Sequence, residues 1–142
     1  MYGINIYNDI VILDINYLFN NNINQNYDEI VNYLYESALD KRIMIIRVGK
    51  NINISKIEKN YNLIKKIAKT FNSIEKKTIQ KCYIFDTPKS FSNIFSFIKP
   101  IISKDVLNII QFIKNDNINT NINETFTNIS NNTNNISQEY FI

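Results

Sequence analysis

Residues 43–71, IMIIRVGKNINISKIEKNYNLIKKIAKTF, carry the two signals that decide the fold. Ile43 to Val48 is nearly continuous apolar sequence, the pattern of a strand covered on both faces, and Gly49 ends it. Behind it Ile57, Tyr61, Ile64, Ala68 and Phe71 step by 4, 3, 4 and 3 residues, so a helix capped by Ser55 presents one apolar stripe to a sheet.

The same alternation extends outward in both directions. Ile10 to Ile15 (IVILDI) is a second short apolar run bounded by polar residues and reads as a buried strand. Tyr27 to Leu39 follows helical spacing through Tyr27, Ile30, Val31, Leu34 and Ala38, with Asn26 as cap and Asp28 and Glu29 in the first turn, where the helix dipole favours acids. Downstream come a strand at Cys82 to Phe85, a helix at Phe91 to Lys99 ended by Pro100, and a strand at Ile109 to Ile113. This β-α-β-α-β-α-β order predicts an α/β fold, a mainly parallel sheet with helices packed on it and right-handed crossovers.

The 142 residues suit one domain, 1–142. Its last part, 115–142, is Asn-rich, yet Ile118, Ile122, Phe126 and Ile129 are spaced for a short amphipathic helix. With 30 Ile and 26 Asn and only 2 Gly and 2 Pro, the chain has the composition of an A+T-rich genome. Five Asn-x-Ser/Thr sequons, beginning at Asn53, Asn123, Asn128, Asn131 and Asn135, are discounted because so Asn-rich a chain produces several by chance.

Several chemistries are excluded outright. Without His there is no Ser-His-Asp triad, Cys-His pair or histidine-ligated zinc, and Gly3 and Gly49 alone cannot write a P-loop or a GxGxxG turn. The single Cys82 permits no internal disulfide, which fits a reducing, cytoplasmic compartment. No apolar run approaches the ~18 residues of a membrane span, and no signal-peptide pattern opens the chain.

Charge is segregated. Residues 1–40 carry net −6, residues 41–81 net +10 and the remainder net −1. Lys59, Lys66 and Lys69 lie off the apolar stripe of the second helix, a basic surface suited to an anionic membrane and equally to an ordinary solvated helix face.

Tyr83 to Pro100, YIFDTPKSFSNIFSFIKP, resembles the signature of the CRAL-TRIO lipid-binding domain, the fold of secretory phosphatidylinositol-transfer proteins. There a strand ends in Asn-Ala-Pro, a Phe follows, and an apolar helix runs into Lys-Pro; the matching residues here are Asp86, Thr87, Pro88, Phe91, Lys99 and Pro100. Asn135 to Ile142 (NISQEYFI) partly resembles the family's closing Asn-Leu-Pro-x-Glu-Tyr-Gly-Gly, without its Pro and Gly residues. The helical bundle that usually precedes this lobe has no counterpart in the sequence. Ile109 and Lys77 replace a Lys and an acid through which phosphoinositide-binding members hold their headgroup.

The resemblance implies binding, and transfer, of a phospholipid or other hydrophobic small molecule, with transient membrane contact and no catalysis, cofactor, metal or nucleic acid. It makes the helix Phe91 to Lys99 a gate over an apolar pocket. On it Phe91, Ile94, Phe95 and Ile98 form one face, which Phe97 and Ile101 widen. The expected walls add Ile45, Tyr83 and Phe85 from the central strands. An ordinary core helix has the same spacing. Two other functions remain open: a protein-interaction scaffold of this fold for small GTPases or their regulators, and a metal nuclease. For the latter, ILDINYLF resembles the opening of a PIN-type nuclease, with Asp14 and Asp86 at strand ends and Glu36 and Asp105 to complete the cluster.

Overall fold

The computed structural model describes residues 2–21, 26–75 and 78–113. Five strands, β1 (Ile4–Tyr7), β2 (Ile10–Asp14), β3 (Ile43–Arg47), β4 (Lys81–Phe85) and β5 (Ile110–Phe112), form one sheet in the order β1-β2-β3-β4-β5. β2 to β5 are parallel and β1 is antiparallel to β2. Between them lie α1 (Ile15–Asn20), α2 (Tyr27–Ala38), α3 (Ile54–Lys59), α4 (Tyr61–Glu75), α5 (Phe91–Ile98) and α6 (Lys104–Ile109). The mainly parallel α/β sheet expected from the sequence is present. The helix expected over Ile118 to Ile129 falls outside the described residues.

Because the parallel strands follow chain order, right-handed crossovers carry their connecting helices to the same face. Strand alternation then divides the apolar residues in two. Val11, Leu13, Met44, Ile46, Cys82 and Ile84 join the large core with the helices. Ile10, Ile12, Ile45, Tyr83 and Phe85 form a separate cluster on the opposite face with Ile113.

Local chemistry accounts for the element ends. The Asn26 side chain caps α2, accepting from the Asp28 amide at 2.8 Å. Asn53, not Ser55, caps the next helix, accepting from the Lys56 amide at 2.9 Å. The single helix expected from that cap is two. Asn60 leaves helical geometry at φ −108°, and its side-chain amide donates to the Lys56 carbonyl at 2.8 Å, ending α3 before α4 begins. β1, α1 and α6 carry no signal in the spacing of apolar residues. Tyr7 and Ile10 pair across a two-residue Asn8-Asp9 turn, and Asn8 takes the left-handed φ of 51° that Asn tolerates. Gly49 has φ +104°, and a Cβ there would lie 2.8 Å from that of Asn16, so α1 packs close against this turn.

Cys82 is buried in the helix-side core, and burial pushes its thiol up to about 12 from 9.0. Between those values the unfolded chain has lost the proton and the folded chain keeps it, so folding stability falls as pH rises. Urea unfolding of the parent and of Cys82→Ala is expected to show the parent's advantage shrinking from about pH 8 to about pH 10, by at most ~1.4 kcal/mol per pH unit. An unchanged gap counts against a buried neutral thiol.

Candidate functional site

Between α5, α4 and the sheet lies a cavity of about 100 Å³ lined only by apolar side chains. Leu13, Ile46, Val48 and Ile84 form its floor. Ile57 of α3 with Ile64, Ile67, Ala68 and Phe71 of α4 make one wall, and Phe91, Ile94, Phe95 and Ile98 of α5 the roof. The apolar face read from the α5 sequence is therefore the face turned to this space.

Three expected wall residues are elsewhere. Ile45, Tyr83 and Phe85 belong to the cluster on the far side of the sheet and do not line this cavity; their neighbours Ile46 and Ile84 do. The correction follows from pleating, because adjacent strand residues point to opposite faces. Phe97 is also outside the lining. It is 42% exposed, with its ring edge-on to Tyr61 at a centroid distance of 5.3 Å.

α5 is held more lightly than α4. Among its residues only Ile94 is fully buried, and Ser90 caps it without a side-chain hydrogen bond. Leu63, Ile64, Ile67, Ala68 and Ile74 of α4 are all buried. Few buried anchors place a segment at the low end of local stability. Sequence reading missed Phe112, which stacks edge-on against Phe95 at 4.8 Å and Phe91 at 5.8 Å, tying the roof to β5. Its place next to Ile113 in an apolar strand hid this role, since its own exposure is 43%.

Asp14 and Asp86 do converge at the carboxyl edge of the sheet, but around a cation. Arg47 reaches Asp86 through Nε at 3.0 Å and Asp14 through Nη1 at 3.3 Å. Asp14 also caps α1 through the Tyr17 amide at 3.0 Å. Partial burial works against the guanidinium charge, but the hydrogen bond to Asp86 and the fields of both carboxylates outweigh it and raise its pKa. Both carboxylates thus serve a structural ion pair across three strands. No group of three or more metal-ligating side chains occurs among the described residues, so Glu36 and Asp105 do not complete a cluster with them.

The basic residues separate as well. Lys66 and Lys69 share a groove with Lys65, bordered by Tyr27, Asn62, Asn72 and Ile101. Lys59, exposed at the end of α3, is outside it.

The family model of the CRAL/TRIO domain matches residues 27–130, more than two thirds of the chain. The chain belongs to the CRAL/TRIO domain family. A search of curated proteins found no match. CRAL/TRIO proteins generally bind and transfer lipophilic ligands and are not enzymes as a rule. In this CRAL/TRIO chain the stretch 83–100 runs from β4 through α5 into a 3-10 turn (Lys99–Ile101), and its Asp86, at φ 55°, accepts the Gly49 amide on its carbonyl at 2.8 Å.

Proposed function

We propose that this CRAL/TRIO domain carries one hydrophobic ligand, a phospholipid or other acyl lipid, in the space beneath α5, and that α5 is the gate. The observation that supports this reading is the wholly apolar cavity roofed by a helix with one fully buried residue and no side-chain cap. At about 100 Å³ this half-open space is smaller than the ~300–1,000 Å³ of sites that hold drug-sized ligands, so loading requires α5 to move outward. Lys59, Lys66 and Lys69 then face the membrane surface where exchange takes place, a transient peripheral contact. No helix among the described residues is long and apolar enough to cross a membrane. The test is to purify the protein without detergent, extract it and identify lipids by mass spectrometry, with titration of a fluorescent fatty acid alongside. A protein that emerges free of lipid and takes up no fatty acid overturns the proposal.

Phe97 separates a gate from a plain core helix. As a gate residue presented to lipid, Phe97→Ser should slow lipid exchange with vesicles while changing stability by no more than about 1.5 kcal/mol, since its side chain is partly exposed and the loss is mainly its edge contact with Tyr61. A loss of about 3–5 kcal/mol, the range for a buried Phe, with exchange intact, marks α5 as core.

A further inference from the structure

α4 has two working faces. Ile64, Ile67, Ala68 and Phe71 line the cavity, while Lys65, Lys66 and Lys69 line a separate groove of about 640 Å³ whose far side is Tyr27 of α2 and Ile101 of the turn after α5. We propose that this groove docks the phosphate of a phospholipid headgroup at the membrane surface. The inference rests on the lipid-carrier reading, because it places a headgroup site on the helix that walls the cavity.

Charge and spacing support the assignment. Lys65 and Lys69 are one turn apart on one side of α4, with Lys66 beside them, so three lysine side chains border one space. Little competes for them. Lys66 pairs with Asp28 at 2.9 Å, but the two side chains are 44% and 70% exposed, and such a pair is worth little in open water. The Lys65 ammonium lies 5.6 Å from the Tyr61 ring centroid, and Lys69 makes no ion pair among the described residues. Asn62 adds an exposed amide donor, and Tyr27 and Ile101 supply an apolar side for the glycerol end of a lipid. A phosphate there offers more charge and more acceptor oxygens than the Asp28 carboxylate it displaces.

The groove also adjoins the gate's anchor. Asn72 accepts from the Ser103 amide at 3.0 Å and donates to the Ile101 carbonyl at 3.5 Å, fastening the chain after α5 to α4. Ile101 borders the groove and Ile102 the cavity, so a headgroup in the groove rests against the segment about which α5 has to pivot.

The test compares flotation of the full chain with phosphatidylcholine vesicles, plain and doped with phosphatidic acid. The expected result is preference for the doped vesicles, a loss of about tenfold or more in Lys65→Ala/Lys69→Ala, and a change within about twofold in Arg42→Ala/Lys81→Ala, which removes the same charge from the exposed starts of β3 and β4. Equal losses in the two pairs mean diffuse attraction without a groove and overturn the proposal. So does saturation of the groove by free sn-glycerol 3-phosphate without vesicle preference, which makes the ligand a soluble phosphate ester. Uptake of a fluorescent fatty acid from solution reads the cavity alone and is expected to be unchanged in both pairs. A parent that takes no fatty acid defeats the carrier reading while leaving the groove result to stand separately.

Discussion

Ala68→Leu is expected to reduce lipid loading by at least tenfold while leaving the fold intact. Ala68 is buried on the α4 wall, and the substitution directs three more carbons into a cavity of about 100 Å³. In a close-packed site the same change costs about 1–3 kcal/mol through overpacking, whereas here the added side chain has space to occupy, so the stability change should fall below that range. The contrasting control is Ile45→Val on the far face of the sheet. It should cost about 0.5–1.5 kcal/mol and leave loading untouched. Equal fatty-acid uptake by Ala68→Leu and the parent would sink the assignment of the ligand to this cavity.

Arg47→Met is the second large effect, and it falls on stability. The substitution keeps much of the apolar stem and leaves Asp14 and Asp86, side chains 12% and 19% exposed, without the cation they share. Removing one partner of a fully buried pair costs about 3–5 kcal/mol; with the Arg47 side chain 31% exposed, water takes part of that burden and about 2–3 kcal/mol is expected. Adding Asp14→Asn and Asp86→Asn should recover more than half, because Asn still caps α1 and still tolerates a positive φ. If the triple variant melts no higher than Arg47→Met alone, lost packing of the arginine stem is the cause and electrostatics is not.

The same features explain what could be read in advance. β2, β3 and β4 are legible because burial on both faces makes them nearly continuous apolar runs, and α2 and α5 because their stripes keep helical spacing. That double burial also concealed which strand residues line the cavity. In IMIIRV and CYIF either alternate set is apolar, so nothing in the string prefers Ile46 and Ile84 over Ile45 and Tyr83; the hand of the crossovers decides. α1 and α6 are six residues each, too short to establish a period. The Asn60 break is invisible to a spacing argument, since Ile57 and Tyr61 stay in step across it while the side chain of Asn60 ends the first helix.

Among the described residues the shortest strands are the two at the margins of the sheet, four residues in β1 and three in β5, against five in each strand between them. A sheet margin is a template on which another chain can add, and short margins present few free backbone donors and acceptors for that addition. The need for such a device is acute in a chain with 30 Ile and 26 Asn, because β-branched and Asn-rich sequence is the material from which intermolecular cross-β structure grows. Changes that lengthen β1 or β5 should raise its tendency to aggregate even where they make the folded monomer more stable.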